Sequence, residues 1–409
     1  MINLNDIKTS RERISPFIHK TPLTYSQTFS EMTGKDVFLK FENLQKTGAF
    51  KIRGAINYIS QLKKVKGVIT ASAGNHAQGV AYASKIFGIP SVIVMPENTP
   101  LIKVISTKNY GAKVILQGKI YDEAYNFAKK IADEEKLEFV PAFDDERIIA
   151  GQGTIALEVL EDLPDLDSII VPIGGGGLCS GILIGLKEMN PKIKIYGVQS
   201  VAFPSFYEKL KKINLSNKPS QTIAEGIAVK NPGNITAPII EKYIDDIFIV
   251  EEEKIAEAIL LLLERAKTLV EGAGASTLAA LLKYRSIIPS KKTVLILSGG
   301  NIDVTLLTKI IEYGLIETGR LVHMKVKLPD LPGHLSQVIE VISKEKANII
   351  TIHQDPSLPL FPKIESTVEF TLETKNPDQI RRIFDKIKEK GYEIEILEKG
   401  GIIQNERVD

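Results

Sequence analysis

One lysine in this sequence has neighbours that can make its amine reactive. Lys51 stands in the segment GAFKIRGA, residues 48–55, between an aromatic and a β-branched residue. A lysine in such a mixed segment is most often solvated, and this interpretation is open here. A lysine on a short structured turn, partly withdrawn from water, instead has a neutral and nucleophilic amine. The remaining motifs decide which interpretation the whole chain favours.

A run of four glycines follows an apolar strand pattern and precedes an apolar helix pattern, in PIGGGGLCSGILIGL. Backbone N–H groups can converge on an anion where side chains are missing, and a helix N-terminus adds to the attraction. The dinucleotide fingerprint does not fit, because Cys179 or Ser180 would replace its last glycine, and no P-loop Gly-Lys-Ser/Thr follows. We therefore predict a site for a single phosphate at the four glycines, Gly174, Gly175, Gly176 and Gly177.

Two more loops place polar groups directly after strand patterns. In ASAGNHAQG, side chains and backbone amides can bind a carboxylate, and the predicted residues are Ser72, Ala73, Gly74, Asn75 and His76. His76 can equally be a buried, hydrogen-bonded histidine of the core that binds no ligand. In LILSGGN, the hydroxyl of Ser298 can hydrogen-bond to a ligand ring. A reactive lysine, a lone phosphate site, a carboxylate loop and a hydroxyl at a strand end together fit pyridoxal 5'-phosphate.

The composition excludes several classes of partner. The chain has 409 residues, of which 44% are hydrophobic and 25% charged, so we expect a globular protein of two or three domains. Its net charge of +2 gives no reason to expect nucleic acid or a membrane surface as partner. Cys179 is the only cysteine and no signal-peptide pattern is seen, so we expect a cytoplasmic location. The five histidines show no metal-ligand spacing, so no metal is expected.

The order of apolar patterns predicts an α/β protein with a smaller C-terminal domain. Up to about residue 315, Val/Ile/Leu-rich runs alternate with helical patterns, which predicts doubly wound parallel sheets with strands buried on both faces. One of these runs is GAKVILQG, residues 111–118. The later pattern βαββαβ is typical of a ferredoxin-like domain. We place a first domain at residues 1–316, with a smaller subdomain of about residues 60–145 inserted in it, and a second domain at residues 317–409.

The motifs in their order resemble those of the fold type II pyridoxal-phosphate enzymes (tryptophan synthase β-like), and among them the threonine dehydratases, also called threonine ammonia-lyases. The shared segments are FENLQKTGAFKIRGA, ASAGNHAQGVA, PIGGGGL, TIAEGIAVKNPGNIT, EGAGA and LSGGNID. The resemblance implies that Lys51 joins the cofactor as a Schiff base and later acts as the base. It also implies that Phe50 packs beside the cofactor ring, that Asn75 contacts the ring hydroxyl and that Ser298 faces the ring nitrogen. The phosphate would be held by the glycine run together with Leu178.

The same resemblance implies an activity and its regulation. The activity is β-elimination of L-threonine, and of L-serine, to 2-oxobutanoate or pyruvate and ammonia, as the first step of isoleucine biosynthesis. The C-terminal domain looks like an ACT domain, where isoleucine or valine would bind as effector. Related serine racemases carry a serine at the position of Ala73, so elimination is favoured over racemisation here. Some relatives bind a divalent cation in the stretch that matches Gln199–Ser205, which has no acidic residue in this chain.

Several alternatives stay open. The chain can be a degradative threonine or serine dehydratase, a racemase-like enzyme, or a non-catalytic amino-acid sensor. The C-terminal domain can be an oligomerisation module without a ligand instead of an effector site. In either case we expect a homodimer or homotetramer.

Overall fold

The computed structural model describes residues 2–354 and 365–397. The chain divides into two compact units, Met1–Ile302 and Asp303–Asp409. Two parts of the predicted C-terminal domain, residues 355–364 and 398–409, lie outside the described residues. No helix within the described ranges has both the length and the apolar character that a membrane span needs.

The first unit alternates strands and helices along most of its length. Its strands are β1 (Leu23–Tyr25), β2 (Asp36–Lys40), β3 (Val68–Ala71), β4 (Ser91–Met95), β5 (Lys113–Leu116), β6 (Glu138–Phe139), β7 (Ser168–Pro172), β8 (Lys194–Ser200), β9 (Asp246–Val250) and β10 (Lys292–Ile296). Its α-helices are α1 (Leu4–Ile14), α2 (Gln27–Thr33), α3 (Lys51–Ile59), α4 (Asn75–Ile86), α5 (Leu101–Asn109), α6 (Tyr121–Glu135), α7 (Glu146–Asp162), α8 (Gly177–Met189), α9 (Ser205–Lys211), α10 (Thr236–Tyr243), α11 (Glu252–Arg265) and α12 (Gly272–Tyr284).

These strands form two sheets. The larger sheet has the order β1-β2-β10-β7-β8-β9, and the smaller has the order β5-β4-β3-β6. All neighbouring strands are parallel except β1 and β2. The predicted doubly wound α/β fold is therefore confirmed. The prediction that every strand is buried on both faces is wrong for β5, which is an edge strand with Lys113 and Leu116 exposed.

The sheet order brings two of the predicted loops to one edge. Strands β7 and β10 are hydrogen-bonded neighbours, with Ser168 opposite Thr293. Because parallel strands end on the same side, the glycine run after β7 and Ser298 after β10 lie at the same edge of the larger sheet. The loop of residues 72–76 follows β3 in the smaller sheet.

The second unit has the predicted βαββαβ order, preceded by one further helix. Its elements are α13 (Val304–Glu317), β11 (Leu321–Pro329), α14 (His334–Lys344), β12 (Asn348–Gln354), β13 (Glu365–Glu373), α15 (Pro377–Glu389) and β14 (Glu393–Ile396). The strands form an antiparallel sheet in the order β12-β13-β11-β14. The helices bury one apolar face each, which includes Val338, Ile342, Ile383 and Ile387. Asn376 caps α15 by accepting a hydrogen bond from the backbone of Gln379 at 3.0 Å.

Glycines let the helices of the first unit pack closely. A Cβ atom at Gly181 in α8 would lie 2.5 Å from the nitrogen of Gly153 in α7. A Cβ atom at Gly151 in α7 would lie 2.7 Å from the carbonyl oxygen of Arg53 in α3. Since α3 begins at Lys51, its close packing on α7 helps to fix where that lysine lies.

Gly185→Ala is expected to destabilise the first unit by about 1–3 kcal/mol, because the added Cβ would overlap a neighbouring helix. That Cβ would lie 2.7 Å from the Cβ of Ala156 in α7, and the next atoms are at 3.5 Å or more. Adding Ala156→Gly removes the overlap, although a glycine inside a helix costs about 1 kcal/mol. Urea unfolding of the two single variants and the double variant checks this, and simple additivity of the two losses would contradict it.

Candidate active site

Backbone pairing between distant segments sets the position of Lys51. The N–H of Phe50 donates to the carbonyl oxygen of Ser298 at 3.0 Å. The same two segments, residues 48–50 and 298–300, share an antiparallel bridge and a second backbone hydrogen bond of 2.8 Å. The first residue of α3, Lys51, therefore starts directly beside the carboxyl end of β10.

The amine of Lys51 lies in an enclosed environment. Its Nζ donates a hydrogen bond of 2.8 Å to the carbonyl oxygen of Ala142 and lies 5.4 Å from the centroid of the Phe50 ring. Burial lowers the pKa of Lys51 to about 8, against an opposing effect of the Glu271 carboxylate. At pH 7 roughly a tenth of this amine is neutral, far more than for an ordinary lysine. The geometry favours a lysine withdrawn from water over a solvated one.

A buried carboxylate that the sequence analysis missed holds the side chain of Asn75. The Nδ2 of Asn75 donates to both oxygens of Glu271, at 2.8 and 3.0 Å. Its Oδ1 accepts a hydrogen bond of 2.8 Å from Asn301. These contacts fix which end of the amide is the donor. The signal for Glu271 in the sequence is weak, since it is one acid before the small residues of EGAGA.

The carboxylate of Glu271 fits here because two neighbouring glycines have no side chain that would occupy its space. A Cβ atom at Gly299 would lie 2.6 Å from Oε1 of Glu271, and one at Gly226 would lie 3.2 Å from it. Burial raises the pKa of Glu271 to about 7, although the hydrogen bonds from Asn75 oppose the shift. A carboxyl group next to Lys51 and Asn75 therefore exchanges its proton near neutral pH.

The carboxylate loop opens helix α4, which begins at Asn75. The first N–H groups of a helix have no acceptor within it, so the backbone of Asn75, His76 and Ala77 offers donors to an anion. Ser72 also lies in this loop, where its hydroxyl accepts from the N–H of Gly74 at 3.2 Å. Ala73 packs against the core beneath the loop.

The imidazole of His76 does not face this loop. It is buried, and its Nε2 lies 3.2 Å from the carbonyl oxygen of Val140. Burial lowers the pKa of His76 to about 3, so the ring is neutral at physiological pH. Of the two interpretations that the sequence left open, the structure favours the core histidine, and only the backbone of His76 remains for a carboxylate.

The glycine run forms a cradle at the start of α8. Gly176 precedes the helix with φ +94°, in the left-handed region that favours glycine. A Cβ atom at Gly175 would lie 2.3 Å from the ring of Phe143, and one at Gly177 would lie 2.9 Å from its carbonyl oxygen. The N–H groups of the first turn, including that of Leu178, lack acceptors within the helix.

Residues 142–144 connect the lysine to the cradle, and the sequence analysis missed this segment. Ala142 accepts the hydrogen bond from Lys51, and Phe143 packs on the glycines. The carboxylate of Asp144 accepts from the backbone N–H groups of residues 234–236 at 2.8–3.3 Å. Thr236 in turn donates to the carbonyl oxygen of Gly175 at 2.7 Å. The buried side chain of Ser298 completes the same sheet edge.

These residues fit pyridoxal phosphate. A buried amine with a lowered pKa suits an aldehyde, and a glycine cradle that no Cβ could enter suits a phosphate. Within the described part of the chain, no group of three or more His, Cys, Asp or Glu side chains is placed to hold a metal ion. The stretch Gln199–Ser205, where some relatives bind a cation, has a different role here. The side chain of Gln199 accepts hydrogen bonds from two backbone N–H groups at the start of α9, both at 2.9 Å.

Comparison with known proteins gives the same cofactor. Residues 14–299 match the model of the family described as pyridoxal-phosphate dependent enzyme, and residues 318–390 match that of the ACT domain. The chain is 45% identical to L-threonine ammonia-lyase of Thermotoga maritima over 97% of this chain and 100% of that one. It is 47% identical to L-threonine ammonia-lyase of Geobacter sulfurreducens over 96% of this chain and 98% of that one.

The chain belongs to the pyridoxal-phosphate-dependent L-threonine ammonia-lyase family. This confirms the resemblance that the motifs indicated, with the cofactor, the lyase class and the ACT domain. A solved structure of maize serine racemase is also similar, with a TM-score of 0.72 and 36% identity over 77% of this chain and 98% of that one. The fold is therefore shared with racemases, and the reaction depends on the residues around the lysine.

Glu271→Gln is expected to change how the stability of the cofactor-free protein depends on pH. The pKa of Glu271 is raised from 4.5 to about 7 on folding, so its favourable contribution is complete below pH 4.5 and is lost as the pH rises through 7. Relative to the unchanged protein, the variant should gain up to about 3 kcal/mol between pH 4.5 and pH 8. Free energies of unfolding at several pH values measure this.

The control for this experiment is Glu161→Gln, on the exposed side of α7. Interaction with Arg11 lowers the pKa of Glu161, so its contribution has the opposite sign and is small at a solvent-exposed site. A parallel pH dependence in the Glu271 variant and the unchanged protein would show that Glu271 does not titrate as described.

Proposed function

We propose that this chain is an L-threonine ammonia-lyase that also accepts L-serine. The observation that carries the proposal is the buried amine of Lys51, hydrogen-bonded to Ala142 and connected through residues 142–144 to the glycine cradle. The activity of the two curated relatives, which match this chain along nearly their whole length, supports the same substrate.

Each group of the site has a role in this proposal. The cradle Gly174–Gly177 with Leu178 would hold the phosphate of the cofactor, and Phe50, Asn75 and Ser298 would surround its ring. The loop of residues 72–76 would bind the substrate carboxylate through its backbone N–H groups. The chemistry that the bound cofactor supplies is a carbonyl for the amino group and an electron sink for the adjacent carbon.

Lys51 moves the proton in this reaction. Its amine, with a pKa of about 8, is neutral often enough to accept the proton from the Cα atom and acidic enough to pass a proton on to the departing β-hydroxyl. The β-hydroxyl of threonine leaves as water, and hydrolysis of the dehydrated product consumes one water. The net reaction converts L-threonine into 2-oxobutanoate and ammonia.

The rival functions make different products. Threonine and serine differ by one methyl group, which a binding pocket discriminates by only about 1–3 kcal/mol, so both should react. A serine racemase would form D-serine, and Ala73 provides no side-chain group for that second proton transfer. A non-catalytic sensor would not need the amine of Lys51 at its lowered pKa.

Reduction with borohydride followed by peptide mapping tests the central step. We expect the reduced cofactor adduct on Lys51. We expect the Lys51→Ala variant to lose both the yellow colour of the bound cofactor and the formation of 2-oxobutanoate. Lys63→Ala, at an exposed lysine of the following loop, is the matched control and should keep both. An adduct on another residue, or none, would reject the proposal, and D-serine as the main product from L-serine would favour the racemase.

We further propose that the enzyme is cytoplasmic, acts in isoleucine biosynthesis and assembles as a homodimer or homotetramer. Its second unit would bind isoleucine or valine as an effector. The ACT-domain match to residues 318–390 supports regulation, and the single buried thiol of Cys179 fits a reducing compartment.

Titration of the full-length enzyme with isoleucine tests the regulatory part, with valine in parallel. We expect isoleucine to lower the activity at subsaturating threonine, with valine acting differently, because a regulatory site bound to one end product has to discriminate it from near neighbours. Leucine serves as the control for nonspecific binding. A flat response to isoleucine and valine would leave the second unit as an oligomerisation module.

A further inference from the structure

Four buried charged side chains lie together next to the helix that begins with Lys51. Lys40 ends strand β2, Glu42 begins a 3-10 turn, Arg53 lies in α3 and Glu158 lies in α7. Each of them is less than a tenth exposed, and the group contains two positive and two negative charges. None of the roles proposed above uses them.

The guanidinium of Arg53 uses all five of its N–H donors in this group. It forms two hydrogen bonds of 2.8 Å with Glu42, through Nε and one terminal nitrogen. It forms two with Glu158, at 2.6 and 3.0 Å, and one with the hydroxyl of Thr154 at 3.2 Å. Lys40 donates to the same Glu158 at 2.6 Å. The carboxylates of Glu42 and Glu158 therefore each accept two hydrogen bonds from the Arg53 guanidinium, one on either side of it.

The charges stabilise one another in this arrangement. Burial by itself lowers the pKa of Arg53, but Glu42 and Glu158 outweigh it, so the pKa is raised. Burial by itself raises the pKa of Glu158, but Arg53 and Lys40 outweigh it, so the pKa is lowered. Arg53 and Glu158 are therefore both charged at neutral pH. Apolar side chains of similar volume would stabilise such an interior equally well or better, so stability alone does not explain a charged group here.

The ion pair between Arg53 and Glu158 joins α3, which begins with Lys51, to α7, which begins shortly after Ala142. Arg53 lies two residues after Lys51 in α3, and Glu158 lies in α7, whose N-cap Asp145 comes three residues after Ala142. A shift of α3 against α7 would therefore change the 2.8 Å distance between Nζ of Lys51 and the oxygen of Ala142.

We infer that Arg53 is a positioning residue for Lys51, because its forked ion pair with Glu158 holds α3 in register with α7 and its pair with Glu42 fixes α3 to the turn after β2. The inference rests on the proposed role of Lys51 in catalysis. A lysine at position 53 would keep the charge, but its three donors cannot replace two forks. The register of the two helices, and with it the surroundings of the Lys51 amine, would be lost.

Arg53→Lys tests the inference in the cofactor-free protein. The pH dependence of Lys51 acetylation, followed by mass spectrometry of the peptide, reports the pKa of that amine directly. We expect a value of about 8 in the unchanged protein. We expect it to rise by about one unit or more in the variant, because a displaced amine is better hydrated. In the cofactor-loaded enzyme kcat should fall by about 100-fold, and KM should change less.

Arg11→Lys is the matched control, because Arg11 forms a forked pair with Glu161 on the same helix α7 but near solvent. It should leave the titration of Lys51 and kcat unchanged. If Arg53→Lys does not fold, Thr154→Val removes one of the five acceptors and should shift the pKa of Lys51 in the same direction by less.

The outcomes separate this inference from the proposed function. A variant at Arg53 or Thr154 that is less stable to heat, yet titrates at Lys51 like the unchanged protein, would overturn the positioning role. A Lys51 in the unchanged protein that titrates like an ordinary lysine and carries no borohydride adduct would instead reject the proposed function.

Discussion

The backbone pairing between residues 48–50 and 298–300 is the contact on which the site depends. About 250 positions of sequence separate the two segments, yet their N–H and C=O groups satisfy each other. Lys51 follows one segment directly and Ser298 begins the other. Glu271 joins the same turn, because its N–H donates to the carbonyl oxygen of Gly299 at 2.9 Å. The lysine, the hydroxyl and the buried carboxyl group therefore share one backbone support.

Much of this architecture was predictable from local patterns in the sequence. Strand runs rich in Val and Ile, and the helical spacing between them, predict parallel sheets whose loops meet at one edge. The glycine run is informative because both a left-handed turn at Gly176 and the approach of Phe143 require missing side chains. The second unit could be predicted equally well. Buried and more exposed residues alternate along β11, and α14 and α15 each have one apolar face, as the strand and helix periods require.

What the sequence did not reveal depends on contacts between distant residues. Glu271 becomes important only because Asn75 meets it from nearly 200 residues away. Asp144 looks like one more acid in a polar loop until the backbone of residues 234–236 folds onto it. The sequence predicts His76 as a loop residue. Only its contact with the carbonyl oxygen of Val140 shows that its ring belongs to the core. Strand β5 is as apolar as its neighbours, but its place in the sheet order leaves it at an edge.

The path of the chain around the smaller sheet has a mechanical consequence. The chain leaves for that sheet through α3, which starts with Lys51, and returns from it through residues 140–145, which include Ala142. Both crossings thus flank a single hydrogen bond, and the loop of residues 72–76 follows a strand of the smaller sheet. Any displacement of that sheet relative to the larger one would act on both ends of this bond at once. The hydration of the amine, and with it its basicity, therefore depends on how the two sheets are placed relative to each other.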